Sequence, residues 1–333
     1  MGFVHLHVRS GYSYGFGVAT PEELLEATAT TGVDSMALTD RDGLYGVPRF
    51  LGTCGEMGVS PIVGAELSME GGGHLVLLAE SMEGYRCLCR LITSYRCSSE
   101  DRRRPLCPLP ALLEHAGGLI CLTGAVPFGL LPRLVLSGKL REAREALGRL
   151  LEAFGRENVF VELTDDRTAG SRRRLRRVAL FARENWVPVL ATNEVTYLRP
   201  EDHRLHEVLV AASNLTRLPG PRHRPTDQLY PKPPEKMEGL FRDYPEALKN
   251  AVMVSERCSG AVRLADKTHM PTVLLSEGET PKKRLVRLVL EGAKKRYGKP
   301  DGKMRSRLRR ELSCIGKLGF ASYYLLAHEA KKV

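Results

Sequence analysis

The sequence has no apolar run of about 18 residues or more, so no stretch of it can cross a membrane as a helix. It lacks the basic-then-apolar opening of a secretory signal, because MGFVHLHV runs directly into a strand-like pattern. Gly2 is not followed by the serine or threonine of a myristoylation signal. Disulfide and zinc spacing are missing too: the eight cysteines, at 54, 87, 89, 97, 107, 121, 258 and 314, are scattered. Cys87 and Cys89 are the closest pair, but in a helical LCRLITSY context residues i and i+2 point apart. Buried or bystander thiols in a reducing cytoplasm are the expectation.

Acidic residues are scarce in one place only. The net charge is +11, yet residues 281–333 hold 16 Lys and Arg against 4 Asp and Glu, whereas the other 280 residues hold 34 against 35. The basic character therefore belongs to the C-terminal segment. Such a concentrated field suits a polyanion, most simply nucleic acid; a solvated helix face is the alternative.

What is present is an alternation of short strands and helices. Phe3–Val8 alternates apolar and polar residues, which puts His5, His7 and Arg9 on one face. Arginine in that series is unexpected, because a guanidinium stays protonated and cannot ligate a cation. Thr20-Pro21-Glu22-Glu23 is a helix start with a capping box. Strands are expected at 35–39, 60–67, 74–78, 119–122, 159–163 and 187–191, and helices at 46–57, 84–95, 127–136, 140–154 and 169–184. This order argues for parallel βαβ units with polar residues at the C-terminal strand ends, where barrel proteins gather their sites. Gly71-Gly72-Gly73 is read as a hairpin turn, Asp40 and Asp42 as loop residues, and His203 and His206 as solvent-facing or capping. A linker is expected near 218–225, helices at 234–241 and 245–258, a Pro/Gly-punctuated stretch at 265–281, and two basic helices over 281–330.

Six ordered segments carry a family resemblance: HLHVRSGYS (5–13), ALTDRDGLYG (37–46), PIVGAEL (61–67), HLVLLAESMEGYRCLCRLIT (74–93), LICLTG (119–124) and VLATNEVTYLRPED (189–202). Together they resemble the PHP (polymerase and histidinol phosphatase) domain at the start of bacterial DNA polymerase III alpha subunits, with error-prone paralogues as the nearest type. The resemblance continues through residues 230–258, similar to the connecting segment of those polymerases, and 307–332, similar to the approach to their palm. It implies an α/β fold: a distorted seven-stranded βα barrel over 1–215, a linker and connecting helices over 216–280, and a mostly helical, incomplete start of a palm over 281–333.

The resemblance also implies a nine-ligand cluster for divalent metals, and here the sequence departs from it. His7, Glu66 and His74 match, and Glu194 conservatively replaces aspartate. Arg9, Phe16, Arg41, Ala125 and Thr196 stand where ligands are lost. A vestigial cluster without PHP-site metal is expected, with Arg9 and Arg41 pairing with Glu66 or Glu194 in place of metal charge. No catalytic residue is expected in this chain, because the three palm aspartates that hold Mg²⁺ in the complete polymerase lie after the segment resembling Gly319–Lys332. Polymerization by this chain alone is therefore not expected.

The function this implies is that of the N-terminal part of a polymerase alpha subunit in DNA replication or translesion synthesis, with the PHP-like barrel as scaffold. Its expected partners are DNA and replication proteins, its compartment the cytoplasm, and it has no membrane partner. Lys294, Lys295, Arg296, Arg305, Arg307, Arg309 and Arg310 are the candidate DNA contacts. A free-standing metal-dependent phosphoesterase and a non-catalytic DNA- or replisome-binding module are the alternatives. The segment after about 275 is expected to be mobile or aggregation-prone alone.

Overall fold

The computed structural model describes residues 2–218, 226–264, 270–299 and 301–331. Backbone contacts divide the chain into two units, Met1–Arg263 and Leu264–Val333.

The first unit is built on a sheet of six strands among the described residues: β1 (Ser35–Leu38), β2 (Ser60–Ser68), β3 (His74–Ala79), β4 (Leu119–Leu122), β5 (Val159–Leu163) and β6 (Val189–Ala191). They pair in chain order. β1–β2, β4–β5 and β5–β6 are parallel, as the alternation of strands and helices suggested. β3 is antiparallel to both neighbours, so the sheet is mixed rather than all parallel. The cause is local: Gly71, Gly72 and Gly73 all take positive φ and return the chain tightly from β2 into β3.

The expected first strand is not a regular one. His5 bridges Met36 within β1, and Val8 bridges Val195 just beyond β6. The backbone bonds agree: Ala37 N to His5 O and Thr39 N to Val8 O on one side, Arg9 N to Val195 O and Val195 N to His7 O on the other, all 2.8–2.9 Å. The N-terminal segment thus stands between β1 and the end of β6 and closes the ring, filling the role of a seventh strand. It cannot lengthen into a ladder, because Glu194 turns with φ +50° between β6 and Val195.

Helices pack outside the strands with their apolar stripes inward. Helix Pro21–Ala29 has the expected cap, Thr20 Oγ1 accepting from Glu23 N while the Glu23 carboxylate accepts from Thr20 N. Helices Leu140–Phe154 and Pro245–Cys258 fall where the sequence puts them. The helix expected from 127 starts at Leu130, His203 and His206 lie on helix His203–Ser213, and helix Leu109–Glu114 was not anticipated. Most of the linker expected near 218–225 and part of the stretch at 265–281 lie outside the described residues. Beyond residue 225 the chain returns to the barrel: Thr196 N and Tyr197 N donate to Leu229 O, and Asn250 Nδ2 donates to Val189 O. The connecting helices therefore belong to the first unit.

Among its described residues the second unit has three helices, not two: Pro281–Tyr297, Gly302–Lys317 and Ala321–Ala330. Gly319, at φ +76°, makes the unforeseen second break. Its buried residues are few, with Leu285, Ala321 and Leu325 at the centre and Leu288, Val289, Leu312 and Ile315 packed around them. No helix among the described residues is long and apolar enough to cross a membrane.

Candidate functional site at the barrel mouth

Because side chains alternate along the N-terminal segment, His7 and Arg9 both face the interior. His7 lies between two carboxylates, its Nδ1 2.7 Å from Glu162 Oε1 and its Nε2 2.9 Å from Glu66 Oε2. An ionised carboxylate only accepts, so both ring nitrogens donate and His7 is an imidazolium. Burial alone would lower its pKa, but the charge and hydrogen bond of Glu162, helped by Glu66, outweigh that and raise it to about 9.

Arg9 spans the mouth. Its Nε donates to Glu66 Oε2 at 2.8 Å, one terminal nitrogen bonds both Glu66 Oε2 and Glu194 Oε1, and the other reaches Thr196 Oγ1 at 3.3 Å. Burial opposes the charge on Glu66, yet the Arg9 guanidinium beside it holds the carboxyl well below the usual range. The left-handed turn at Glu194 aims its carboxylate at Arg9.

Arg41 pairs less closely than expected. A parallel bridge sets its backbone beside Glu66, but its Nε donates to Ser68 Oγ at 2.8 Å and stands 3.7 Å from Glu66 Oε1. Its guanidinium lies 4.5 Å above the Phe16 ring. Two of the lost ligand positions, 16 and 41, are thus stacked on each other.

His74 is held by a backbone. Ala125 N donates to His74 Nε2 at 3.0 Å, so this nitrogen is an acceptor, and burial lowers the pKa of the ring. Gly124 allows the approach: at φ +87°, a Cβ there would lie 2.1 Å from His74 O. Ala125, a lost ligand position, therefore caps a retained one.

All nine positions named from the sequence meet at one mouth, lined by a cleft of about 320 Å³ that includes Arg9, Phe16, Arg41, Glu66, His74 and Glu194. His5 does not join them; its Nε2 faces the backbone of Lys232. Glu162 was missed, although an acid inside the apolar strand VFVEL is a visible signal of a buried partner. Thr192 Oγ1 holds its Oε1 at 2.5 Å. His206, read as solvent-facing or capping, is buried and its Nδ1 bonds Phe16 O at 2.7 Å. Asp40 and Asp42 are loop anchors: Asp40 accepts from Ser10 and Ser13, and Asp42 from Ser68 and Tyr95.

His7, Glu66 and His74 could offer a metal three atoms within 4.8 Å of one another. Those atoms are engaged: His7 donates from both nitrogens, Glu66 Oε2 accepts from His7 and Arg9, and His74 Nε2 accepts from Ala125. The buried guanidinium of Arg9 also raises the cost of a second cation there. In this arrangement the residues do not fit a divalent metal cluster.

Residues 5–166 match the PHP domain model. An error-prone DNA polymerase of Symbiobacterium thermophilum is 37% identical over 98% of this chain. The DNA polymerase III subunit alpha of Bacillus subtilis is 30% identical over 100% of it. This chain is a relative of the bacterial DNA polymerase III alpha subunits, over their N-terminal part. It spans 31% and 30% of the length of those two polymerases. Among solved structures it is similar to an amidohydrolase from Chromobacterium violaceum with bound sulfate and no metal, at 15% identity and a TM-score of 0.42, covering 59% of this chain and 88% of that one.

In the second unit Lys294, Lys295, Arg296, Arg305, Arg307, Arg309 and Arg310 are all exposed. Arg307 is paired with Glu311 at 2.8 Å. Lys294, Arg305 and Arg309 rim a cleft with an apolar floor of Val286, Leu290, Leu308 and Leu312.

Proposed function

We propose that this chain serves as the N-terminal part of a DNA-synthesising alpha subunit, in replication or translesion synthesis, with an arginine-filled PHP barrel as scaffold. The observation that carries the scaffold reading is Arg9 bonded to both Glu66 and Glu194 in the middle of the mouth. A network of buried cations and carboxylates fixes the strand ends where metal chemistry would need open ligands. The likeness to alpha subunits along nearly the whole chain supports the setting. DNA meets the exposed basic helices of the second unit, other replication proteins meet the assembled subunit, and the cytoplasm is the compartment for that work. Nucleotidyl transfer with Mg²⁺ belongs, in this reading, to the part of such a subunit that this chain does not span.

The test is metal content and hydrolysis together. The purified chain should contain far less than one equivalent of Mn, Fe or Zn. It should leave p-nitrophenyl phosphate and a labelled single strand intact with added Mn²⁺. A full equivalent of metal with Mn²⁺-dependent hydrolysis would replace this proposal by the phosphoesterase alternative, in which His7, Glu66 and His74 exchange their present hydrogen bonds for a metal.

A further inference from the structure

Next to the mouth lies a second cleft, of about 560 Å³, whose wall is the Arg41–Phe16 stack shared with the first. Its other sides are unusual for a surface hollow. Tyr14 and Tyr45 present exposed rings, Tyr14 at 74% and Tyr45 at 49%, with centroids 6.4 Å apart. Arg96 places its guanidinium 5.7 Å from the Tyr45 ring. Three consecutive exposed arginines, 102 to 104, line the same hollow. The acid on its lining, Asp42, is buried and directs its oxygens to Ser68 and Tyr95.

We propose that this cleft binds single-stranded nucleic acid, with bases stacking on Tyr14 and Tyr45 and phosphates held by Arg96 and Arg102–Arg104. Exposed aromatic faces interleaved with arginines are the combination that suits an unpaired strand, because every base offers a π-face and every linkage a charge. A duplex keeps its bases inside and gains nothing from the tyrosines. An acidic peptide would use the arginines but leave the rings idle.

The site is built rather than accidental. Asp40 accepts from Ser10 N, Ser10 Oγ and Ser13 Oγ, and Ser13 Oγ in turn accepts from Arg41 N, so the loop carrying Tyr12, Tyr14 and Phe16 is tied to the end of β1. His206 fixes Phe16 O from the other side. Asp101 holds the arginine turn, accepting from Arg103 N on its side chain and from Arg104 N on its carbonyl. Platforms fixed before binding lose little freedom on binding. Positions 16 and 41, where the resemblance places metal ligands, here form the floor between two clefts.

The proposal goes beyond the scaffold reading and separates from it experimentally. Oligo(dT) carrying 4-thiothymidine is photocrosslinked to the full chain and the adducts are mapped by mass spectrometry. Adducts are expected within 12–16, 41–48 or 96–106, and they should persist when Lys294, Lys295 and Arg296 are all changed to Gln. Labelled oligo(dT) should bind the Tyr14→Ala/Tyr45→Ala variant about tenfold more weakly. Tyr14→Phe/Tyr45→Phe, which keeps both rings, should bind as the parent does. Both pairs lie at the surface, and an unchanged melting temperature certifies their fold. Adducts confined to 281–331, an alanine variant within twofold of the parent, or polyglutamate competing as well as oligo(dT) would each overturn the proposal. The tail substitutions report only on the basic helices, so failure of one reading leaves the other standing.

Discussion

Arg9 is the residue on which the mouth depends, and its removal costs more than the pairing contributes. Arg9→Ala would leave Glu66 and Glu194 buried beside each other with their main counter-charge gone. The expected loss is about 3–5 kcal/mol, read as a lower urea midpoint. Arg9→Ala combined with Glu66→Gln should lose less than the sum of the two single changes, because the stranded charge is removed with its partner. His7 makes a pH-dependent prediction. Its pKa is about 9 when folded, against about 6.5 for a free imidazole. The folded state thus holds a proton that the unfolded chain releases, and this contribution is complete below pH 6.5 and lost as pH rises through 9. The stability gap between the parent and His7→Gln should shrink over that interval, by at most about 1.4 kcal/mol per pH unit. A gap constant from pH 6 to 9 would mean that His7 is neutral in the fold. At this scale it was the family resemblance that named nine positions, and the structure brings them to one mouth through the contacts of His7, Arg9 and His74. The sequence could not show that His74 is capped by Ala125 N, because a backbone donor has no signature in residue type.

Elements were legible where capping chemistry marks them. The Thr20–Glu23 box and prolines at the starts of helices Pro234–Leu240, Pro245–Cys258 and Pro281–Tyr297 all announce a first turn. Thr20→Ala should cost about 1 kcal/mol by leaving Glu23 N without its Oγ1 acceptor, which thermal unfolding would detect. Elements went unread where close packing sets the boundary. A Cβ at Gly129 would collide with the Gly124 backbone, and the helix begins only after this crossing, at Leu130. The basic helices carry their own prediction. If Lys294, Lys295 and Arg296 neutralise phosphates of a duplex, changing all three to Gln should reduce the slope of log K against log salt by about 3. An unchanged slope would leave these residues as a solvated face.

At the scale of the molecule the alternation of elements showed a βα series, and the family resemblance implied its closure into a barrel, since strand order is set by pairing between distant segments. The glycine hairpin at 71–73 announced the reversal of β3, whereas the sealing of the ring by residues 5–8 is a property of hydrogen-bond partners, not of composition. The division into two units has a sharper consequence. The first unit surrounds its strands with fully buried Leu, Val and Ile, whereas the second is centred on Leu285, Ala321 and Leu325. It leaves Leu290, Leu318, Tyr323, Tyr324 and Leu326 exposed. Opening a helix there uncovers little apolar surface that is not already in water, so local opening should be cheap compared with opening β2 or β3. Hydrogen exchange on the purified chain should therefore find amides of 281–330 exchanging orders of magnitude faster than those of 60–79. Uniformly slow exchange across both would show that the helical unit is held by more than its own small core. Rapid exchange, with the basic face intact, would make this unit the part of the chain that gains most order when a polyanion or a further protein surface covers it.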